Sequence, residues 1–225
     1  MLTHAAWADV EGLRHGFLDA ADCGRAIAWE PVLAGVGVEV PVVTPHQVHG
    51  TTVGIADVAA ERMEADGMVA VRPGIVAGVV TADCVPVLVL DRERRAAAAL
   101  HAGWRGAAHG VLRTGVEQLR RHAGSDASKL EAVIGPAIGG CCYEVGQEVR
   151  AAFEAANPGV TTEAWTPHGE RLLLDLPRAV ALVLGQLGLR HVSQVGPCTR
   201  CGAGYYSYRR DGAGCGRQLS FIGWS

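Results

Sequence analysis

The chain has 225 residues, 49% of them apolar, which is enough to bury the core of one large domain. Its net charge of −3, with acids and bases mixed along the chain, argues against a dedicated nucleic-acid surface. No apolar run approaches the ~20 residues of a membrane-spanning helix, because Asp83 and Asp91 interrupt the greasiest region.

Met1–Glu11 is polar and acidic, without the basic start and apolar core of a secretory signal, so a soluble cytoplasmic protein is expected. Gly12–Leu18 reads as a strand and Val32–Val40 as an apolar stretch interrupted by Gly. Val40–Val43 is a strand leading into Thr44-Pro45-His46-Gln47-Val48-His49-Gly50, and Thr51–Ile55 resumes as strand. Glu61–Val71 holds an acidic stretch, with Asp66-Gly67 as a turn signal, then a short apolar run. Ile75–Val80, Val85–Leu90 and Ala96–Leu100 read as three buried strands. Thr81-Ala82-Asp83-Cys84 joins the first two, Asp91–Arg95 is a solvated turn, and the third strand ends at His101.

Gly103-Trp104-Arg105-Gly106 opens an amphipathic helix with Val111, Leu112, Val116 and Leu119 on one face and Gly124 as its stop. Leu130–Ile134 is a further strand, followed by a rigid Gly/Pro loop. A second helix carries Val145, Val149, Ala152, Phe153 and Ala156 as far as Asn157-Pro158-Gly159. Arg171–Leu174 is a strand, and Asp175 caps a third helix with Pro177 in its first turn. Val192–Val195 is a strand, Pro197–Cys201 a loop, and Tyr205–Arg209 with Gln218–Trp224 a closing strand pair. No linker, low-complexity run or repeat divides the pattern, so residues 1–225 are expected to form a single domain. There is no regular βαβ rhythm, no glycine-rich dinucleotide fingerprint and no phosphate-loop lysine motif.

Seven cysteines, an odd number, point to thiol chemistry or metal binding rather than a disulfide framework. His49, Cys84 and His101 each end or follow a buried strand, flanked by small residues. Two imidazoles and one thiolate make a zinc set with one position open, which is the catalytic pattern. The same residues also suit a metal-free site, with Cys84 as nucleophile and His101 as its base. Against both stands a core Cys and core His that merely fall 17 residues apart. Arg105, Arg209, Arg210 and Arg217 are candidates for holding an anion, against ordinary exposed ion pairs. Asp83 and Glu144 are candidate acid/base groups. Asp83 is equally a turn-capping carboxylate. Trp104 stacks on substrate or packs, and His46 and His109 read as supporting or surface residues. Cys198-x-x-Cys201 lacks a second pair and reads as structural or incidental, with Cys215 as an extra neighbour. Cys141-Cys142 would point apart in an extended segment and read as packing residues.

The order of the motifs carries a resemblance. His46-Gln47-Val48-His49-Gly50, Thr81-Ala82-Asp83-Cys84-Val85-Pro86, His101-Ala102-Gly103-Trp104-Arg105-Gly106 and Ile134-Gly135-Pro136-Ala137-Ile138-Gly139 come first. Cys142-Tyr143-Glu144-Val145, Cys198-Thr199, Ser207-Tyr208-Arg209-Arg210-Asp211 and Gly216-Arg217 follow. Over about residues 40–225 this resembles the YfiH family, whose members go by multicopper polyphenol oxidase (laccase-like), purine nucleoside phosphorylase and peptidoglycan editing factor. The resemblance implies an α+β fold: mixed β-sheets flanked by helices in an αββα sandwich. That fold is similar to cytotoxic necrotizing factor catalytic domains and YfiH-like cysteine hydrolases. It implies that His49, Cys84 and His101 bind a catalytic Zn2+, with Cu2+ as the alternative ion. Gln47, Asp83, Arg105, Arg209 and Arg210 are the expected substrate contacts. The family usually shows Thr-x-Arg and a Gly-rich turn after the first strand, where this chain has Phe17-Leu18-Asp19-Ala20-Ala21-Asp22-Cys23-Gly24.

The activity so implied is purine nucleoside phosphorolysis by a monomer. Adenosine, inosine, guanosine or 5′-methylthioadenosine plus phosphate would give free base and sugar 1-phosphate, with adenosine deamination at the same site. The partners are therefore a nucleoside and phosphate, with no nucleic acid and no membrane. One alternative is a cysteine amidase that edits peptidoglycan precursors. Another is copper-dependent phenol oxidation, but nine scattered His residues without a His-x-His pair suit it poorly.

Overall fold

The computed structural model describes residues 1–24, 26, 28–57 and 63–225. Glu61 and Arg62, which head the expected acidic stretch, lie outside the described residues.

Two sheets face each other. The first has four strands in the order β1 (Leu13–Phe17), β13 (Gln218–Trp224), β5 (Ile75–Thr81) and β2 (Val42–Val43). The second has six, in the order β12 (His191–Gln194), β8 (Glu131–Ile134), β6 (Val85–Asp91), β7 (Ala96–Ala102), β4 (Gly67–Ala70) and β3 (Gly54–Ile55). Period-two alternation decides what each face buries. In β6 and β7, Leu88, Leu90, Ala97 and Ala99 pack with Ala77, Val79, Ile222 and Trp224 of the four-stranded sheet. Their neighbours Val87, Val89, Ala98 and Leu100 turn the other way, onto helices. These strands are buried on both faces, which explains their unbroken apolar runs.

The helical layer on the six-stranded sheet comprises α3 (Trp104–His109), α4 (Val111–Ala123), α5 (Gln147–Ala156) and α6 (Leu176–Gln186). On the far side of the four-stranded sheet lie α1 (Ala20–Cys23) and α2 (Glu30–Gly35), where Cys23 and Leu33 meet Val76 and Phe221. The layers are helix, sheet, sheet, helix, as the resemblance implied. A smaller sheet, β10 (Trp165–His168), β11 (Arg171–Leu174) and β9 (Glu144–Val145), completes the edge.

Local signals placed several elements well. Asp175 accepts from the Arg178 N–H to cap α6, with Pro177 in the first turn. Gly124 ends α4 in the left-handed conformation. The helix opened by Trp104 is broken at Gly110, whose φ of 113° starts a new helix at Val111. Two expectations fail. Val145, expected on the second helix, pairs in β9, and α5 begins at Gln147. Tyr208–Asp211 is a short helix, α7, capped by the Ser207 hydroxyl. The strand expected there does not form, because β1 and β5 already take both edges of β13.

Among the described residues no helix is long and apolar enough to cross a membrane. Leu100 is fully buried under α4, and Gly115 leaves room for it: a Cβ there would stand 2.6 Å from the leucine side chain. Leu100→Ala is expected to cost about 2–5 kcal/mol of stability, read from the midpoint of a urea denaturation curve.

Candidate metal centre and active site

The chain crosses from one sheet to the other at Ala82-Asp83-Cys84, between the end of β5 and the start of β6. Asp83 makes that crossing at φ 88°, a left-handed conformation that is costly for a residue with a Cβ. Its carboxylate is buried and fully engaged. Oδ1 accepts from the Thr199 hydroxyl at 2.6 Å and Oδ2 from the Arg209 N–H at 2.6 Å. β7 returns beside β6 with Val85 opposite Ala102 and Pro86 opposite His101. That register brings Cys84 and His101 to the same end of the sheet.

His49 arrives from the loop between β2 and β3, with φ 61°. Asp66 holds it. This fully buried carboxylate accepts from the N–H groups of Val48, His49 and Gly50 at 3.3, 2.9 and 2.6 Å. Its Oδ1 also lies 2.7 Å from His101 Nδ1. A carboxylate accepts, so Nδ1 carries the proton and Nε2 of His101 is left for the centre.

The donor atoms of His49, Cys84 and His101 all lie within 4.8 Å of one another. Cys84 Sγ stands 3.8 Å from His49 Nε2, and the two imidazole rings meet edge to face at 4.9 Å. Gly103 makes room: a Cβ there would stand 2.9 Å from His49 Cδ2 and 3.1 Å from Cys84 Sγ. Burial opposes charge on Cys84, but hydrogen bonding to His101 and His49, and their charge, bring its thiol down to about 6. Burial likewise opposes charge on His101, yet Asp66 and Cys84 raise it to about 9. Burial pushes Asp66 up, but the His101 and backbone donors outweigh it and lower its pKa. This donor set, with Nδ1 engaged and the thiol readily ionised, fits a divalent ion with a position to spare.

The centre opens into a cavity of about 730 Å³, within the ordinary range for small-molecule sites. Trp104, Tyr143, Tyr208, Arg105, Arg209 and Arg217 line it, with Gln47, Asp83, Thr81 and His46. Arg105 lies over the Trp104 ring at 4.4 Å. Arg209 lies over Tyr143 at 5.0 Å and donates to the Glu144 carbonyl at 3.0 Å. Gln47 is clasped to Val80 by two bonds, Nε2 to its carbonyl at 2.8 Å and Oε1 from its N–H at 2.7 Å.

Arg210 is not brought to the cavity. Its guanidinium donates to the carbonyls of Thr199, Arg200 and Tyr205 and pairs with Asp211, so it braces a loop. Glu144 is exposed and lies near His168 instead. His109 donates to the Arg105 carbonyl at the exposed end of α3. The Phe17–Gly24 segment contains α1, capped by Asp19, and Gly24 lines a smaller neighbouring cavity rather than this one. The sequence reading took Asp66 only as a turn. A buried strand following directly on an acid was the available signal, but its partner His101 is 35 residues away. Tyr143 and Tyr208 were also missed. The cysteine readings change too: Cys141, Cys142, Cys198 and Cys201 converge within 4.8 Å. The adjacent pair sits in a turn, not an extended segment, so both side chains reach one place.

Fold and centre together define an α+β protein, two facing sheets between helical layers, with a His–Cys–His candidate catalytic site. The chain belongs to the family described as multi-copper polyphenol oxidoreductase laccase, whose model matches residues 27–225. It is 41% identical over 167 residues to a purine nucleoside phosphorylase of Pseudomonas aeruginosa, covering 73% of this chain and 66% of that one. It is 32% identical over 178 residues to one of Clostridium acetobutylicum, covering 78% and 74%. A Neisseria meningitidis protein superposes with a TM-score of 0.79 at 36% identity, covering 87% of this chain and 79% of that one. The YfiH protein of Bacillus licheniformis does so with 0.78 at 29%, covering 82% and 74%. The YfiH resemblance is thereby shown, and the match begins earlier than the motifs did.

Two measurements probe the centre. In metal-free protein the Cys84 thiolate forms above about pH 6 and is lost below it. Iodoacetamide alkylation of Cys84 should therefore rise through about pH 6, and His101→Ala should move that rise upward. Asp66→Asn should weaken metal affinity about 10–100-fold, read by competition with a chromophoric chelator.

Proposed function

We propose that this chain is a zinc-dependent purine nucleoside phosphorylase that also deaminates adenosine at the same site. The observation that carries this reading is the convergence of His49, Cys84 and His101 at a cavity walled by aromatic rings and guanidinium groups. Relatives at 32% and 41% identity bear the name purine nucleoside phosphorylase. The substrates are adenosine, inosine, guanosine or 5′-methylthioadenosine together with phosphate. In phosphorolysis a phosphate oxygen bonds to C1′ as the C1′–N9 bond breaks, and the base leaves with a proton.

The residues divide the work. Trp104, Tyr143 and Tyr208 offer faces on which a purine stacks. Arg105, Arg209 and Arg217 offer the positive charge that phosphate needs. Stacking on Tyr143 and the bond to Glu144 orient Arg209 before substrate arrives. Asp83 and Gln47 have their polar atoms engaged by protein, so they shape the wall and hold the Cys84 turn and the His46–His49 loop. His49, Cys84 and His101 hold the ion, with Asp66 fixing the tautomer of His101. Bound there, zinc would supply Lewis acidity and would lower the pKa of a water toward neutrality. The family description names copper, whereas a thiolate with two imidazoles suits zinc. All of these groups come from one chain, in keeping with a monomer.

One specific arrangement favours a second reading. Cys84, His101 and Asp66 follow one another as nucleophile, base and orienting acid, the layout of a cysteine hydrolase. An amidase of this kind ignores phosphate and survives chelation.

Purified protein given adenosine should release adenine only when phosphate is present, and exhaustive chelation should abolish that release. Adenine release that ignores both phosphate and chelator would overturn the assignment. Cys84→Ala should remove the centre's metal and lower turnover by about 10²–10⁴-fold, the range for loss of a catalytic group.

A further inference from the structure

Away from the His–Cys–His centre, four sulfur atoms from two loops lie within 4.8 Å of one another. We propose that Cys141, Cys142, Cys198 and Cys201 bind a second ion, a structural zinc held by four thiolates. This inference stands independently of the activity proposed above.

The distances favour an ion over a covalent bridge. Cys201 Sγ is 3.0 Å from Cys142 Sγ and 3.6 Å from Cys141 Sγ, and all four cysteines are free. A disulfide needs ~2.05 Å. Sulfurs at ~2.3 Å around a tetrahedral zinc stand ~3.8 Å apart. Four ligands close the coordination sphere, as structural sites require.

Both loops are shaped to present their sulfurs. The N–H groups of Cys142 and Tyr143 both reach the Gly139 carbonyl, at 3.0 and 3.1 Å, and curl the adjacent cysteines inward. The Gly202 N–H closes the other turn on the Cys198 carbonyl at 2.7 Å. The Gly139 N–H points at Cys198 Sγ from 3.3 Å. Burial works against charge on Cys198, but this donor and those of Cys201 and Arg200 bring it to about 7. Cys141 moves the other way, raised by burial and by the sulfurs beside it. A divalent ion set among the four sulfurs would offset the charge of thiolate ligands.

The location gives the ion a task. The two loops follow β8 and β12, parallel neighbours in the six-stranded sheet. Ala137 and Cys198 form a further bridge between them, and the Thr199 N–H donates to the Ala137 carbonyl at 3.0 Å. Thr199 and Ile138, one from each loop, both hold Asp83: the hydroxyl to Oδ1 at 2.6 Å and the N–H to the carbonyl at 2.9 Å. A zinc stapling these loops would keep the residue before Cys84 in its left-handed conformation.

Metal content tests the proposal. Cys84→Ala, which empties the first centre, should still carry one zinc per chain by mass spectrometry. Cobalt exchanged into that variant should show the charge-transfer bands of a tetrathiolate, and adding Cys198→Ser should remove them. If the serine variant fails to fold, the unmutated chain answers instead. Its four cysteines should resist maleimide until a chelator is added, although Cys141 and Cys201 are exposed. A Cys84→Ala chain without stoichiometric metal, iron in place of zinc, a Cys142–Cys201 disulfide in reduced protein, or labelling indifferent to chelator would each overturn the site.

Discussion

The carboxylate of Asp66 is shut off from solvent, and its charge is carried by four donors: three backbone N–H groups and the His101 ring, whose pKa it helps raise. Removing one partner of a buried charged pair typically costs about 3–5 kcal/mol. The loop carrying His49 cannot drift without uncovering that charge, and the His101 ring cannot turn over. Two of the three candidate ligands, His49 and His101, are therefore fixed by one side chain that is not itself among the three. The third, Cys84, depends on Asp83, whose carboxylate and carbonyl are held from three sides.

This arrangement explains why unfavourable backbone conformations are tolerated here. Three residues other than glycine have positive φ among those described, and two of them are His49 and Asp83. Each has side-chain or backbone hydrogen bonds that offset a cost of order 1–3 kcal/mol. The third, Arg95, lies in the exposed turn between β6 and β7 and has no such role. Strain thus concentrates where the chain passes between the sheets and where a ligand must be aimed. The absent side chain of Gly103 serves the same end, since any Cβ would press on both His49 and Cys84.

Much of this was legible in the sequence because it is local. Apolar runs rich in valine marked β5 and β6, and the Asp175–Pro177 signal marked α6. The small residues around His49, Cys84 and His101 marked strand ends. What was not legible is long-range. Asp66 pairs with a histidine 35 residues on, and nothing near it in the chain announces a charge-bearing role. Cys142 and Cys201 are 59 residues apart, so a lone Cys-x-x-Cys looked incomplete when its complement was an adjacent pair elsewhere. Arg210 failed for the opposite reason. A guanidinium beside Arg209 looks equally free to bind an anion until three carbonyls are found around it. Tyr208 was misread because β-propensity favoured a strand, whereas the Ser207 cap and the already occupied edges of β13 produced a helical turn.

The clasp between Gln47 and Val80 has a consequence for assembly. It fastens the His49 loop to the four-stranded sheet, while Asp66 and His101 belong to the six-stranded one. The His49 loop is therefore tied to both sheets at once, by Gln47 to one and by the Asp66 carboxylate to the other, and its imidazole is held in place only when both ties are made. A nascent or partly opened chain would hold His49, Cys84 and His101 apart, so the complete donor set exists only in the finished fold.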